Sequence, residues 1–401
     1  MKRSPLVVIF MTVFIDLLGF GIVLPLLPRY AKALDASHVT LGLLMASFSF
    51  MQFVFSPMWG RLSDRIGRRP VILMGLFSSA VFYALFGYGT MIGSLSLLFV
   101  SRIGAGIAGA TIATAQAFIA DSTEAHDRGK GMALVGAAFG IGFTFGPLIG
   151  SIWVSGESGG GPSAAPGFVA SGLSAAAFLF AFVVLKESLR PGAAPAERSW
   201  FHLKSLKTAL AVPTIGLLIL TFFVATFAFS NFEPTLALLT AVEGFDFSDR
   251  QNFFLFAYIG FVLSLAQGLL VRRLLPAVGE VTMAVAGSLL MVAGLAGIGW
   301  SATERSTGLL LGLMPIAVVG YACLTPSLQS LVSRRTSAVI QGEVLGVLQS
   351  GSSLARILGP ISGNLLFGAK LFGETHSAPY FFAAGMMGVA FLLSLGLARG
   401  E

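Results

Sequence analysis

Long runs of apolar residues separated by short polar stretches dominate the pattern of this chain. A helix needs about 20 apolar residues to cross the hydrocarbon core of a bilayer, and twelve runs are of about that length. They occupy residues 6–28, 39–60, 70–92, 95–120, 131–154, 165–185, 211–239, 250–271, 281–301, 308–332, 343–368 and 378–398. Because hydrocarbon offers the backbone no hydrogen-bond partner, each run is predicted to be a helix. The pattern predicts an all-α membrane protein with twelve transmembrane helices.

A polar stretch beginning at Lys186 divides these runs six and six. We therefore expect an N-terminal bundle over residues 1–185, a cytoplasmic linker over 186–209 and a C-terminal bundle over 210–401. At an offset of 213 residues the halves align Gln116 with Gln329, Gly129 with Gly342, Gly146-Pro147 with Gly359-Pro360, and Gly150 with Gly363. A parallel six-helix repeat predicts two pseudo-symmetric bundles that rock about a substrate near the bilayer midplane.

Composition agrees with a membrane location. Of the 401 residues 55% are hydrophobic and 11% charged, with a mean hydropathy of +0.87, whereas soluble proteins carry roughly a quarter charged residues. The first run follows Lys2 and Arg3 but is too long for a signal peptide, so we interpret it as a retained helix. The single Cys323 excludes an internal disulfide.

The basic residues predict the orientation. With a cytoplasmic N-terminus, 18 of the 25 Lys and Arg residues fall in termini and cytoplasmic loops, five fall outside, and two lie within helices. The positive-inside rule then places both termini in the cytoplasm. This asymmetry accounts for most of the net charge of +7, so no nucleic-acid partner is required.

The loop after the second run reads "GRLSDRIGRRP" and combines arginines with an aspartate and glycines. Glycine allows close backbone approach and positive φ, and an aspartate can accept charge-assisted bonds or face a helix N-terminus of the other half. Contacts of this kind can form in one transport state and break in the other. The residues predicted to gate here are Gly60, Asp64, Arg65, Gly67 and Arg68.

Three motifs of the first half resemble those of the major facilitator superfamily, and the resemblance covers the whole chain. "GRLSDRIGRRP" is similar to its loop signature, "SRIGAGIAGA" at 101–110 to its fourth-helix motif, and "GIGFTFGPLIG" at 140–150 to the fifth-helix motif of its drug/proton antiporters. "FIDLLGFGIVLPLLPRY" at 14–30 resembles the first helix of tetracycline/proton antiporters and their drug or organic-anion exporting relatives. The ninth run lacks the acidic residue of tetracycline exporters, which argues against tetracycline as the substrate.

The fifth run is rich in glycine, and Gly142, Gly146 and Gly150 have the small-xxx-small spacing of closely packed helices. Pro147 can bend the helix. Both features suit two bundles that slide on a shared face, and plain helix packing explains the glycines equally well. We include these four residues among the candidate gating positions.

Asp16 and Arg102 are ionisable residues inside predicted helices, where a charge costs on the order of 3 kcal/mol and marks a pathway. Asp16 matches the first-helix acid of the antiporters, and Arg102 the arginine of the fourth-helix motif. Geometry along the helices places Asp16 near the midplane, within reach of Arg102. They form either a proton-linked pair or a permanent structural salt bridge.

Glu233 and Arg356 are the corresponding charges of the second half. Burial favours a protonated carboxyl, and a nearby arginine opposes this, so Glu233 is predicted to bind a proton or a cationic substrate group. Snorkelling to the outer interface is the alternative. A buried arginine keeps its proton and needs an anion, which for Arg356 is Glu233, a substrate carboxylate or a phosphate.

Asp121 ends the fourth run at the cytoplasmic surface, where the resemblance implies a charge network with Asp64 and Arg68; a solvated helix end is the alternative. Gln116, Gln329 and Tyr258 are candidate substrate-binding residues in the cavity, and interhelical hydrogen bonding explains them equally well.

The function predicted from these features is proton-coupled export of small amphipathic drugs or organic compounds by alternating access. The alternative is a facilitator or proton symporter that imports a nutrient such as a sugar or organic acid. An enzyme is not expected, because the four histidines form no metal-spaced cluster and no nucleophile elbow or P-loop is present. We expect no metal and no cofactor, and a monomer suffices because both six-helix halves are in one chain. Expected partners are protons, a small-molecule substrate and lipid, in a bacterial inner membrane.

Overall fold

The chain is described here from a computed structural model. The described residues are 5–122, 128–156, 162–189, 213–241, 245–336, 341–369, 371 and 375–398. Most of the predicted linker lies outside them. Within these ranges the secondary structure is helical.

Helices follow one another throughout the first half. They are α1 Pro5–Val23, α2 Leu27–Ala33, α3 His38–Ile66, α4 Arg68–Met91, α5 Leu95–Gly109, α6 Ile112–Ser122, α7 Arg128–Gly150 with a 3₁₀ turn Ser151–Trp153, and α8 Ala165–Val184. Short breaks separate α1 from α2 and α5 from α6, so each of these pairs forms one membrane-crossing segment.

The second half has the same succession. It consists of α9 Pro213–Leu239, α10 Asp249–Leu265, a π-helix Ala266–Val271, α11 Arg272–Val278, α12 Glu280–Thr303, α13 Thr307–Arg335, α14 Gln341–Gly368 and α15 Ala378–Ala398. The eighth crossing runs through α10, the π-helix and α11 to Val278. It is therefore longer than the apolar run that predicted it, because the chain stays helical past the first arginines.

The crossings agree with the predicted all-α membrane fold. Ten segments of the described chain are long and apolar enough to span a membrane, and Gly140–Trp153 is a shorter apolar helix. The remaining predicted crossing corresponds to α14, which has 28 residues. The predicted fold class, an all-α membrane protein with twelve transmembrane helices, is confirmed.

The backbone repeats itself between the halves. Positive φ angles recur at Asp35 (57°) and Asp246 (50°), at Gly67 (104°) and Gly279 (81°), and at Gly93 (66°) and Arg305 (49°). The offsets are 211, 212 and 212 residues. Ser94 and Ser306, also 212 apart, each cap the following helix by accepting a backbone N–H. The duplication therefore extends to loop conformation, even where an arginine replaces a glycine.

The described contacts divide the chain into two compact units. Unit 1 comprises Met1–Ala36, Ser47–Trp200 and Phe247–Phe261. Its first helix packs on α7 and α8 around an apolar cluster that includes Ile9 and Phe118. The predicted boundaries at residues 185 and 210 remain a prediction.

The start of α10 belongs to unit 1 through several polar contacts. Arg29 Nη1 lies 2.8 Å from Asp249 Oδ1, and the Asn252 amide donates to the Pro25 carbonyl in the break between α1 and α2 at 3.0 Å. Arg250 donates to the carbonyl of Ser151 at the end of α7, at 3.2 Å. The break after α1 frees the Pro25 carbonyl, which Asn252 then satisfies.

Unit 2 comprises Ser37–Ala46, Phe201–Asp246 and Val262–Glu401. The start of α3 belongs to it because Gly42 lies against the backbone of Ile361. Its most extensive helix pair is α12 with α13. At their crossing a Cβ on Gly294 would lie 2.6 Å from the Ala317 Cα atom.

Gly294→Ala is expected to destabilise unit 2, because the obstructing atoms are backbone and the helices must separate. Overpacking costs about 1–3 kcal/mol, more than the roughly 0.5–1 kcal/mol that alanine contributes through helix propensity. Gly312→Ala is the matched control, since a Cβ there meets nothing within 4 Å. Thermal unfolding should show a lower midpoint for the first variant and an unchanged or higher one for the second. Equal midpoints would contradict the assigned packing.

Candidate functional site

Arg68 organises the loop after the second crossing. Its Nε donates to Asp121 Oδ2 at 3.0 Å, and its Nη1 pairs with Asp64 and donates to Ser63 Oγ at 2.7 Å. The structure thus brings together Asp64, Arg68 and Asp121. Their gating role remains a prediction.

The other loop residues have distinct surroundings. The carbonyl of Gly60 accepts the Ser63 hydroxyl at 2.7 Å, whereas Arg65 is exposed. The second carboxylate oxygen of Asp64 is buried and has no hydrogen-bond partner within the described chain. It is therefore available to a donor that this arrangement does not supply.

Glu187, which sequence reasoning missed, joins the end of α8 to this loop. Its carboxylate accepts the backbone N–H groups of Arg68 at 2.9 Å and Arg69 at 3.1 Å, and those of Ser188 and Leu189 at 2.9 Å. Burial opposes ionisation, but these donors outweigh it and hold the pKa of Glu187 below its ordinary value. The carboxylate caps the N-terminus of α4 and compensates the positive end of the helix dipole.

Gly67 is explained by the same contact. Its φ is +104° and a Cβ would collide with the Glu187 carboxylate. The signal in the sequence was an acid two residues after the end of the sixth apolar run, but nothing in the run indicated its partner.

Glu187→Gln is expected to lower the unfolding midpoint at pH 7, with a cost of about 1 kcal/mol or less because the site is partly exposed. Because the pKa of Glu187 is lower in the folded protein than in the unfolded chain, where it is about 4.3, its ionised form stabilises the folded protein at pH values above about 4.3. This stabilisation is lost as the pH falls through the folded-state pKa. The difference from wild type should therefore shrink below pH 4.3. Glu304→Gln, at an exposed residue that accepts one bond from Trp300, is the control. A difference that persists at low pH would contradict the capping role.

The second half repeats this pair with reversed charges. Glu280 begins α12, 212 residues after Arg68, and Arg334 lies in the last turn of α13, 213 residues after Asp121. Arg334 Nη1 lies 2.6 Å from Glu280 Oε1, which also accepts the Ser330 hydroxyl at 3.1 Å. A glutamate at a helix N-terminus suits the dipole by itself. An arginine such as Arg68 does not suit the positive end of a helix dipole, and in the first half the carboxylate of Glu187 supplies the negative charge there.

The glycines of α7 bring it against α1. A Cβ on Gly142 would lie 3.0 Å from Leu17 Cβ, and one on Gly146 would lie 2.8 Å from the Leu18 carbonyl oxygen. One on Gly150 would reach the Phe253 ring at 2.6 Å. Pro147 lies inside the helix. These glycines are required for packing, and their coupling role stays a prediction.

Asp16 lies in the first crossing and borders a small cavity. It accepts the Ser174 hydroxyl at 2.9 Å, and no ion pair to Arg102 exists within the described chain. The cavity of about 20 Å³ has room for one water molecule. Its lining is Thr12, Val13, Asp16, Leu17, Ile72, Leu76, Thr111, Ile112 and Ala115.

Arg102 is 2% exposed and makes no hydrogen bond or ion pair with the described residues. Its guanidinium carbon lies 4.4 Å from the ring centroid of Phe48 and 5.8 Å from that of Phe20. Tyr83 lies close enough to Asp16 and Arg102 for their charges to act on its phenol group. The described contacts therefore do not pair Asp16 with Arg102, and a role of the two residues in proton coupling stays a prediction. Tyr83 is an additional neighbour that the sequence did not single out.

Glu233 and Arg356 interact electrostatically in unit 2 without a salt bridge in the described chain. Arg356 donates to the hydroxyls of Ser352 at 2.7 Å and Ser353 at 3.3 Å. Tyr321 lies close enough to Glu233 and Arg356 for their charges to act on its phenol group. The arginine is thus solvated by neutral hydroxyls, and an anion can still bind to it.

Tyr321 is also stacked on Phe229, with ring centroids 4.0 Å apart. The three remaining substrate-binding candidates, Gln116, Gln329 and Tyr258, are exposed. Gln116 and Gln329 occupy equivalent positions of the two halves. Their contact with substrate remains a prediction.

Comparison with known proteins identifies the family. Residues 9–360 match the Major Facilitator Superfamily. The class D tetracycline resistance protein of Salmonella ordonez is 31% identical over 381 residues, covering 94% of this chain and 91% of that protein. Human major facilitator superfamily domain-containing protein 10 is 30% identical over 409 residues, with coverages of 90% and 86%. Multidrug resistance protein 2 of Bacillus subtilis is 29% identical, with coverages of 99% and 94%.

Solved structures agree. The crystal structure of the human organic anion transporter MFSD10 (TETRAN) superposes with a TM-score of 0.71 at 28% identity, covering 98% of this chain and 99% of that one. A D-xylose-proton symporter shares the fold, with a TM-score of 0.74, 17% identity and coverages of 97% and 96%. The chain therefore belongs to the Major Facilitator Superfamily and is a multi-pass integral membrane protein.

Proposed function

We propose that this protein is a proton-coupled exporter of small amphipathic organic compounds that works by alternating access. The observation that carries the proposal is that two carboxylates, Asp16 and Glu233, lie in membrane-crossing segments and form no salt bridge within the described chain. An ionised carboxylate without a paired cation is costly in such a place. Protonation removes this cost, so each group suits the uptake and release of a proton as its surroundings change.

The two carboxylates differ in their surroundings. Asp16 has a hydroxyl donor and a cavity that can hold one water, whereas Glu233 lies in the field of the Arg356 charge, with the Tyr321 phenol near both. A water molecule in this cavity is placed to exchange a proton with Asp16. Glu233 is placed to respond to a charged substrate.

The substrate class follows from the groups around Arg356. Within the described chain the Arg356 guanidinium donates only to serine hydroxyls, so it can also donate to a carboxylate, and the stacked Phe229 and Tyr321 rings offer an apolar surface. Glu233 can receive a proton or an ammonium group. We assign substrates that combine an aromatic or apolar body with an acidic group. Relatives named for tetracycline resistance and organic anion transport support export of such compounds.

The setting proposed is a bacterial inner membrane with both termini in the cytoplasm. A single chain supplies both halves of the repeat, so a monomer suffices. The driving force is the proton gradient, with no cofactor.

The proposal is tested with purified protein in liposomes that contain a pH-sensitive dye under an imposed proton gradient. Adding an aromatic carboxylate, its neutral amide or an aromatic amine distinguishes substrate classes by the proton flux that each evokes. We expect flux with the carboxylate and none with the amide. Substrate movement without proton flux would identify a facilitator instead.

Glu233→Gln is expected to abolish or shift the pH dependence of substrate-evoked flux while the protein remains folded, because glutamine has a similar shape but cannot take up a proton. Glu304→Gln, at an exposed site, is the control. Flux should be recorded between pH 5.5 and 8. An unchanged pH profile in Glu233→Gln would remove Glu233 from the proton pathway.

A further inference from the structure

Arg102 is a buried cation for which the described chain supplies no anion. It is 98% buried, and its Nε and Nη1 atoms have no hydrogen-bond partner among the residues that the structure describes. Asp16, the carboxylate predicted to pair with it, accepts a hydrogen bond from Ser174 instead. A buried guanidinium without an anion is costly, so the site is set up to receive one.

Phenylalanine rings surround this cation. Phe48 and Phe20 present their faces to the guanidinium at 4.4 and 5.8 Å. Phe20 lies 5.1 Å from Phe48 and meets Phe143 edge to face at 5.7 Å. We call Arg102 with Phe20, Phe48 and Phe143 the arginine–phenylalanine cluster. All four residues belong to unit 1.

The repeat links this cluster to the groups around Arg356. At the offset of 213 residues, Phe20 is the counterpart of Glu233 and Phe143 is the counterpart of Arg356. One pair of positions is thus charged in unit 2 and aromatic in unit 1. In unit 1 the positive charge comes from a different helix, α5.

We propose that the arginine–phenylalanine cluster is a second binding site for an aromatic carboxylate, with the carboxylate on Arg102 and the ring against the phenylalanines. Guanidinium and carboxylate form strong charge-assisted bonds, and offset or edge-to-face stacking favours a flat aromatic body. The inference extends the proposed function, on which it rests for the class of substrate. It adds a site in unit 1 to the one at Arg356.

The test counts ligands on the full chain by equilibrium dialysis with 2-naphthoate, with 2-naphthamide as the neutral match and chloride as the inorganic anion. Wild type should bind two naphthoates per chain. Arg102→Gln and Arg356→Gln should each lose one, with an affinity loss of about tenfold or more at the altered site. Naphthamide should bind neither site.

The outcomes separate this inference from the proposed function. Loss of a naphthoate in Arg356→Gln but not in Arg102→Gln overturns the second site, while the reverse overturns the substrate site of unit 2 and leaves this inference standing. If wild type binds a single naphthoate per chain and either substitution alone removes it, two separate sites are overturned. If millimolar chloride displaces naphthoate from Arg102 alone, the site is a general anion site and its assignment to aromatic carboxylates is overturned.

Phe48→Leu provides a second variant that keeps the cation, in case Arg102→Gln fails to fold. It should weaken naphthoate at this site while acetate binding is unchanged. Equal naphthoate affinity in Phe48→Leu would overturn the role of the rings.

Discussion

Asp16→Asn is expected to reduce substrate-evoked proton flux to the level of protein-free liposomes. Asparagine has the shape of aspartate and can still accept the Ser174 hydroxyl, but it takes up no proton. The cavity at Asp16 should then no longer serve proton exchange. Substrate should still cross the membrane down its own gradient, because the groups around Arg356 are unaltered.

Two measurements give this prediction its control. Asp35→Asn alters an exposed aspartate with positive φ, which asparagine tolerates, and should retain full flux. Unfolding midpoints should match between Asp16→Asn and wild type. Persistent proton flux in Asp16→Asn would show that the coupled proton binds elsewhere, with Glu233 the next position to examine.

Arg356→Gln is expected to reduce the apparent affinity for acidic substrates by about tenfold or more, since the charge-assisted bond to the substrate carboxylate is lost. The amide of the same compound should be transported no worse than by wild type. Transport assays with matched acid and amide separate this effect from a general loss of activity.

Arg356→Lys and Arg272→Gln complete the comparison. Lysine keeps the charge but loses the planar fork, so its defect should be intermediate, whereas Arg272 is exposed in α11 and its substitution should change nothing. Equal losses for acid and amide in Arg356→Gln would assign the arginine to structure. Glu233 would then be its counter-ion.

The candidate site could be predicted from the sequence in part. A charged residue inside an apolar run is energetically costly in the membrane and is therefore a candidate functional residue. This criterion selects four residues from the sequence alone: Asp16, Arg102, Glu233 and Arg356. Their partners do not follow, because the contact of a side chain depends on how each helix is rotated and packed. The described chain accordingly shows Asp16 bonded to Ser174 rather than to Arg102.

Glu187 illustrates what a linear pattern leaves out. Glu187 is 119 residues from Arg68 in the sequence, and its carboxylate accepts backbone N–H groups. Every residue except proline has a backbone N–H group, so the residue types do not predict this contact. Only the approach of the end of α8 to the start of α4 creates this contact. The requirement for glycine at position 67 likewise follows only from the tertiary structure, because a Cβ there would collide with the Glu187 carboxylate.

The sequence by itself determined the all-α membrane fold, the twelve crossings and the internal duplication, because hydrocarbon forces each long apolar run into a helix and repeated loop chemistry recurs at a constant offset. Tertiary structure alone decided the hydrogen-bond partners, the close approach of α1 to α7 through their glycines, and the isolation of Arg102 among phenylalanine rings. The physical reason is that an apolar run specifies length and depth in the bilayer, whereas packing specifies which side chains meet.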